Sequence, residues 1–160
     1  MIDRGMQQSR RKIPARVPPY IRVFNPLARV LLSAGVPMGP EVLLTARGRR
    51  TGLRRSTPVA VAEIAGRRWL VAPFGETDWV RNVRADAGRA VLSAGRRSEP
   101  VTARELDREE TLRFFAEILN PYLRTNPLAR WIVRVIDRIP QDPAAAADTD
   151  IVFEIRRRDA

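Results

Sequence analysis

Short apolar or alternating segments separated by tight turns recur along this chain, and they constrain its fold more than any other feature. The segments are residues 42–44, 57–64, 69–72, 90–93, 99–106 and 151–155. Turn signals at Ala65-Gly66 and at Gly95 leave no room for a crossover helix, so the segments that they join are expected to pair as antiparallel hairpins. Five or six such strands predict a largely antiparallel sheet or a small barrel.

Helical patterns precede and interrupt these strands. Apolar residues at spacings of three and four predict an amphipathic helix over residues 20–34. Thr77 is a candidate N-cap for a short helix over residues 78–85. Asp107 with Glu110 has the pattern of a capping box at the start of another helix. The sequence therefore predicts an α+β chain with N-terminal and inserted helices.

The remaining segments define the expected domain organisation. A further helix is predicted over residues 128–138, followed by an acidic, alanine-rich linker over residues 141–150. Residues 1–19 combine a basic cluster with three prolines, a composition that buries little surface, so they are predicted to form a mobile basic tail. Residues 20–160 have the length of one ordinary domain.

The chain contains neither cysteine nor histidine. These absences exclude disulfides, Cys–His and Ser–His–Asp catalysis and the usual zinc ligand sets. We therefore expect no metal site and no catalytic side chain of these kinds, and the cytoplasm suits such a chain. If the protein is an enzyme, an organic cofactor supplies the reactive atom and the chain supplies binding and orientation.

Residues 45–58 have the composition of an anion-binding site. They read TARGRRTGLRRSTP, with five arginines, two glycines and several hydroxyls but no carboxylate. Guanidinium groups bind phosphate and carboxylate oxygens in pairs, and glycines let backbone N–H groups approach the same oxygens. Because this segment joins two predicted strands, the sequence places it at the tip of a hairpin, with a phosphorylated ligand as the expected guest.

The overall charge leaves another class of partner open. Twenty-nine basic and 18 acidic residues give a net charge of +11, which favours nucleic acid or an anionic membrane surface as generic partners. However, residues 45–58 contain none of the aromatic side chains on which bases usually stack. No specific nucleic-acid partner is therefore expected, whereas a peripheral membrane contact through the basic N-terminus stays open.

Two linked motifs resemble a known family. Residues 48–58 match the pattern G-R-x-[ST]-G-x-x-R-x-[ST]-P, and residues 79–85 match W-x-x-N-[LV]-[RK]-A, with a hairpin and a loop between them. Both motifs and their spacing are similar to the deazaflavin (F420)-dependent nitroreductase family of split β-barrel oxidoreductases, which share an FMN-binding-like fold. The resemblance is close over residues 41–97.

The resemblance implies a coenzyme and the residues that would hold it. The coenzyme is F420, an 8-hydroxy-5-deazaflavin whose tail carries a phosphodiester and glutamate carboxylates. Arg49, Arg50, Thr51, Gly52, Arg55 and Thr57 would hold the tail. Pro58 would shape the wall beneath the ring, and main-chain groups of Ala72, Pro73, Phe74 and Gly75 would face it. Trp79 and Asn82 would pack and hydrogen-bond beside that loop.

The resemblance further implies hydride transfer from the reduced coenzyme to a small unsaturated, quinone-like or nitro-type acceptor, without a catalytic side chain. FMN on the same split barrel is the second cofactor that the residues allow. A basic module that binds nucleic acid or an anionic membrane is the alternative function. The sequence leaves a monomer and a homodimer equally open, and it predicts a cytoplasmic protein, with the inner face of the membrane as the place of any peripheral contact.

Overall fold

Six antiparallel strands close into a barrel in the part of the chain that the computed structural model describes, residues 12–22, 25–26 and 41–159. The strands are β1 (Glu41–Arg47), β2 (Arg54–Ile64), β3 (Arg67–Ala72), β4 (Arg89–Ala94), β5 (Arg97–Glu105) and β6 (Ile151–Arg157). Their order around the barrel is β1-β2-β3-β6-β5-β4. This architecture confirms the predicted α+β class and the mostly antiparallel barrel.

The turn residues form the hairpins as predicted. Ala65 and Gly66 both have positive φ angles, 53° and 73°, which is the left-handed geometry that two-residue hairpin turns require. Gly95 begins the β4–β5 turn with a φ of 61°. The first hairpin is tighter than its sequence indicates, because β1 and β2 extend the pairing to Arg47 and Arg54. Only residues 48–53 form its tip.

Alternate side chains of the strands fill the barrel with a continuous apolar core. Leu44, Leu70, Val101 and Phe153 are among its buried members. A second buried cluster lies on the outer face of β3 and β6, where Trp69 and Val152 pack against the helices that follow β5. The barrel therefore buries one core inside it and a second between its wall and the helical layer.

Within residues 41–159, five α-helices and two π-helical segments accompany the strands. They are α1 (Asp78–Ala85), α2 (Arg108–Arg113), a π-helical segment (Phe114–Leu119), α3 (Asn120–Thr125), α4 (Pro127–Trp131), a second π-helical segment (Ile132–Ile136) and α5 (Pro143–Thr149). The helix α1 buries Val80 and Val83 in the barrel core, so it closes the end of the barrel at which β1 ends and β2 begins. The helices after α1 lie between β5 and β6 in the chain.

Local capping residues explain where two of these helices start. The capping box predicted at the start of α2 is confirmed, because the side chain of Asp107 accepts from Glu110 N and that of Glu110 accepts from Asp107 N. The linker predicted over residues 141–150 is wrong, since it contains α5. Asp142 caps this helix and Pro143 begins it, and alanine has the highest helix propensity of any residue.

The N-terminal segment differs from its prediction. Ile13 is only 8% exposed and belongs to the barrel core, and residues 13–16 hydrogen-bond the loop after β3. A mobile tail over residues 1–19 is therefore wrong for residues 13–16, because burial of Ile13, two backbone–backbone hydrogen bonds and a bond from Ile13 N to the side chain of Glu76 hold them on the barrel. Residues 1–11 lie outside the described residues, and the mobile tail stays a prediction there.

Two further helical predictions need comment. Residues 19–22 and 25–26 are helical, while the rest of the helix predicted over 20–34 lies outside the described residues. The helix predicted over 128–138 forms, but Leu128, Trp131 and Val135 on its apolar side are exposed within the described part of the chain. In that same part, no helix combines the length and the apolar character that a membrane crossing requires.

Candidate active site

Two glycines make the tip of the β1–β2 hairpin tight. Gly48 N donates to Leu53 O at 2.7 Å and Gly52 N donates to Gly48 O at 2.8 Å. A Cβ at Gly48 would lie 2.9 Å from Leu53 O, and Gly52 has a φ of 71°, so both positions require glycine. The tip is thus a defined turn rather than an open loop, and it presents its side chains in a fixed arrangement.

Arg49 and Asn82 were both predicted to contact a cofactor, and they contact each other. Asn82 Oδ1 accepts from Arg49 N at 3.1 Å and from Arg49 Nη1 at 2.9 Å. Arg49 Nη2 also donates to Asp78 Oδ1 at 3.1 Å. Since Asn82 is only 5% exposed, these bonds attach the tip of the hairpin to α1. The guanidinium of Arg49 is already engaged by the protein.

The other arginines at and beside the hairpin tip are exposed. Arg50 and Arg55 are exposed, and within the described part of the chain neither of them forms an ion pair or a side-chain hydrogen bond; the same holds for Arg47 and Arg54. Among the described residues, the backbone N–H groups of Arg50 and Thr51 also donate to no acceptor. The tip therefore offers guanidinium and N–H donors to an external anion.

The remaining predicted residues of the hairpin divide between its two faces. Thr57 pairs with Leu44 across the β1–β2 ladder, and Leu44 belongs to the barrel core, so Arg55 and Thr57 share the inward face of β2. Pro58 lies on the opposite face, beside Leu43. Successive residues of a strand alternate between faces, and the predicted role of Pro58, to shape the wall beneath the ring, stays a prediction. Thr51 Oγ1 accepts from Leu53 N within the tip, and Gly52 forms the turn itself.

The predicted ring-binding loop follows β3 and enters α1. Ala72 is buried at the end of β3, and Gly75 is buried with a φ of 75°. A Cβ at Gly75 would meet Pro14 O at 2.4 Å and Ile13 O at 2.9 Å. Only glycine allows the loop to approach the N-terminal segment this closely. Pro73 and Phe74 are half-buried beside it.

Thr77 occupies the predicted N-cap position of α1 without capping it. Its side chain makes no capping bond. Its Oγ1 is a buried atom without a hydrogen-bond partner in the described structure. A buried polar atom without a partner is costly, on the order of 1–3 kcal/mol. Such an atom at the start of α1, directly after the loop, is typical of a site that accepts an external polar group.

Trp79 is part of the packing rather than a free stacking platform. It is half-buried against the barrel core, and its ring centroid lies 5.8 Å from that of Phe153. The helix α1 therefore packs Trp79, Val80 and Val83 in or against the barrel core and directs Asn82 to the tip of the hairpin. Both motifs of the sequence meet at this helix.

Sequence reasoning missed a half-buried ionic cluster beside the loop. Arg84 of α1 contacts Glu76 at 2.8 Å and Glu105 of β5 at 2.6 Å. The three residues come from separate segments, and no local pattern identifies them as partners. Among the described residues, no group of His, Cys, Asp or Glu side chains could hold a metal ion.

The comparison with family models identifies the chain. Residues 28–136 match the model of the F420H(2)-dependent quinone reductase. The chain belongs to this family. The protein is thus an oxidoreductase with coenzyme F420 as its cofactor and quinone-like molecules as acceptors, which confirms the function, the enzyme class and the cofactor inferred from the resemblance. The nucleic-acid module and FMN are not favoured.

Other comparisons add less to this identification. A comparison with curated proteins found no match. A solved structure described as a domain-swapped dimer is 24% identical, covers 86% of this chain and 97% of that chain, and has a TM-score of 0.48. The F420-H2 dependent reductase FDR-A is 25% identical over 73% of this chain and 94% of its own, with a TM-score of 0.45. A protein of unknown function from Agrobacterium tumefaciens is 15% identical, covers 90% of this chain and 58% of that chain, and has a TM-score of 0.46.

Proposed function

We propose that this protein binds the anionic tail of F420 on the tip of the β1–β2 hairpin and the deazaflavin ring against the loop after β3. The observation that carries this proposal is the difference between Arg49, whose guanidinium is engaged by α1, and Arg50 and Arg55, which are exposed and without partners among the described residues. Arg49 fixes the tip, and Arg50 and Arg55 bind the anionic tail of the coenzyme.

The chemistry of the tip fits an anionic tail. Guanidinium groups form paired, charge-assisted hydrogen bonds with phosphate and carboxylate oxygens. Residues 45–58 hold no carboxylate that could compete for them. The N–H groups of Arg50 and Thr51 add neutral donors at the same place, and none of them has to break an existing bond to a described residue in order to bind.

The loop after β3 suits the flat, uncharged part of a cofactor. Ala72 and Gly75 are buried, while Pro73 and Phe74 are half-buried, so the loop forms a surface of backbone and apolar atoms. Thr77 Oγ1 is a hydroxyl without a partner in the described structure and lies next to this loop in the chain. These residues orient the ring and exclude water from it, which preorganises a reaction between two bound molecules.

When bound, the reduced coenzyme supplies the hydride that the acceptor receives. The chain then has to hold a quinone-like acceptor against the ring face. No histidine or cysteine takes part, since the sequence contains neither. Nitro compounds and other unsaturated molecules are further acceptors that we propose on the same geometry. We place the reaction in the cytoplasm, and any peripheral membrane contact would involve the basic N-terminus.

Fluorescence titration with F420 and with FMN tests the proposed site. Arg50→Ala and Arg55→Ala should each raise the F420 dissociation constant about 10- to 100-fold, because a hydrogen bond to a charged group contributes roughly 1.5–3 kcal/mol. Arg50→Lys should restore part of the affinity, since lysine keeps the charge without the paired donors. The free energy of unfolding should change by less than about 0.5 kcal/mol.

A matched control is available in another hairpin. Arg96 is also an exposed arginine in a hairpin turn, between β4 and β5 at the opposite end of the barrel. Arg96→Ala should leave F420 binding unchanged. If Arg50→Ala and Arg55→Ala both bind F420 with the parental affinity, the tail of the coenzyme does not bind at the hairpin tip. If all three variants lose the same affinity for F420, the loss reflects the net charge of the protein rather than a specific site.

A further inference from the structure

A half-buried ionic triad connects the ring-binding loop to the barrel. Arg84 donates to both oxygens of Glu105, through Nε at 2.7 Å and Nη2 at 2.6 Å, and its Nη1 contacts Glu76 Oε1 at 2.8 Å. The side chains of Arg84, Glu76 and Glu105 are 9%, 15% and 23% exposed. Such little exposure and bidentate geometry give the pairs a fixed orientation that surface ion pairs lack.

Glu76 is the node at which this triad meets the N-terminal segment. Its Oε1 accepts from Ile13 N at 3.3 Å, and its backbone N donates to Ile13 O at 2.8 Å. Arg16 N donates to Phe74 O at 2.9 Å. The loop and residues 13–16 are thus bonded like two short strands, and Gly75 is the point of closest approach.

The charges of the triad remain in place at neutral pH. Burial raises the pKa of Glu76, but the hydrogen bond and the charge of Arg84 outweigh it, with smaller contributions from Ile13 and Arg81, and the pKa lies below its ordinary value. Burial lowers the pKa of Arg84, but its hydrogen bonds to Glu105 and Glu76 raise it by more, so the pKa lies above its ordinary value. Arg84 is therefore a cation held between two carboxylates throughout the pH range in which the enzyme would be assayed.

We propose that Glu76, held by Arg84 and Glu105, is a positioning residue for hydride transfer. It fixes the backbone of residues 73–76, and through it the surface against which the deazaflavin ring lies. This inference rests on the proposed function, because it assumes that the ring contacts this loop. It assigns the triad to the ring end of the site, whereas the affinity for the coenzyme arises mainly from the arginines at the tip of the hairpin.

The division between ring and tail makes the proposal measurable. A shift of the loop changes the distance between the ring and the acceptor, and a displacement of about 1 Å lowers the rate of a positioned reaction by up to about 100-fold. The same shift leaves the ion pairs of the tail intact. A defect in the triad should therefore lower the rate of hydride transfer much more than it lowers the affinity for F420.

The experiment compares Glu76→Gln with the parent in the full chain. F420 affinity is measured by fluorescence titration, and hydride transfer by single-turnover oxidation of bound reduced F420 with menadione as the acceptor. We expect the transfer rate to fall about 10- to 100-fold and the dissociation constant to rise by no more than about threefold. Thermal unfolding of the same samples shows whether the variant is folded at the assay temperature.

Glu99→Gln is the matched control. Glu99 forms a bidentate pair with Arg68, at 2.8 and 3.0 Å. This pair lies on β3 and β5 near the end of the barrel opposite the hairpin tip. Loss of that carboxylate should not change the transfer rate. An equal loss of rate in Glu76→Gln and Glu99→Gln would overturn the proposal, because it would show a general effect of weakened ion pairs.

A second pair of variants guards against a failure of Glu76→Gln to fold. Arg84→Lys keeps the cation of the triad and should retain more of the transfer rate than Arg84→Met does. Transfer at the parental rate in folded Glu76→Gln or in folded Arg84→Met would refute the positioning role. Failure of the parent to bind F420 would instead refute the proposed function, so the two failures are distinguishable.

Discussion

At the scale of single residues, neighbouring arginines of one motif have different contacts. Arg49 and Arg50 are adjacent in the sequence, yet Arg49 donates to Asn82 and Asp78, while Arg50 is exposed and has no described partner. The difference follows from where each side chain leaves the turn, which the motif does not specify. We therefore propose that Asn82 serves the site through Arg49 rather than by touching the cofactor.

Substitution of Asn82 tests this indirect role. Asn82→Leu removes the acceptor of Arg49 N and Arg49 Nη1, so we expect the free energy of unfolding to fall by about 1–3 kcal/mol and F420 affinity to fall with it. Asn82→Asp keeps the acceptor and should keep most of both. Urea unfolding and F420 titration measure the two quantities. Asp78→Asn, which breaks only an exposed pair, should change stability by less than about 1 kcal/mol.

A different pattern would contradict the indirect role. If Asn82 contacted the cofactor directly, the added charge of Asn82→Asp would reduce F420 affinity while the protein remained as stable as the parent. If Asn82→Asp loses affinity for F420 but keeps the parental free energy of unfolding, Asn82 contacts the cofactor directly.

At the scale of elements, the junction between α5 and β6 carries a buried carboxyl group with an unusual pKa. Asp150 is 1% exposed. Burial, with a smaller contribution from the charge of Asp137, raises its pKa from 3.8 to about 7, although the hydroxyl of Thr149 acts in the opposite direction. Since the folded pKa lies above the unfolded one, the stability that protonated Asp150 contributes is complete below about pH 4 and is lost as the pH rises to about 7.

Asp150→Asn should abolish this dependence. The shift of about three pKa units corresponds to on the order of 4 kcal/mol, so the variant should be more stable than the parent at pH 8 and differ little from it near pH 4. Urea unfolding at pH 4, 6 and 8 measures the effect. The exposed Asp159 provides the control, because Asp159→Asn should follow the parent. Parallel profiles for Asp150→Asn and the parent would contradict the prediction.

The elements also show how far sequence patterns reach. The hairpin turns at Ala65-Gly66 and Gly95 were predictable, because turn preferences act between neighbouring residues. The helix after Thr77 forms as predicted, although the side chain of Thr77 makes no capping bond. The helix α5 was missed when its acidic and alanine content was interpreted as a linker. The contacts of Glu76 with Arg84 and Ile13 join distant segments, and only the closed barrel brings them together.

At the scale of the whole molecule, the barrel unites segments whose sequences look independent. The hairpin tip and the loop after β3 are both attached to α1, the first through Asn82 and the second through direct chain continuity. A cofactor that spans both would therefore contact a single rigid unit. The two motifs indicate the family, and the shared helix explains why they occur together.

The boundary of the domain gives the final prediction. Deletion of residues 1–11 should leave the fold and F420 affinity unchanged, whereas deletion of residues 1–17 should lower the free energy of unfolding by about 2–5 kcal/mol. The reason is Ile13, which is 8% exposed in the barrel core, and large losses follow when such a side chain is removed. The longer deletion also removes the backbone bonds to Phe74 and Glu76, so the rate of hydride transfer to menadione should fall with it.

An isolated apolar residue between a lysine and a proline carries no periodic signal, which is why the sequence placed Ile13 in a tail. Urea unfolding of the two truncated proteins and of Ile13→Ala tests this prediction. Equal stability of both truncated proteins would instead place the start of the folded domain near residue 19.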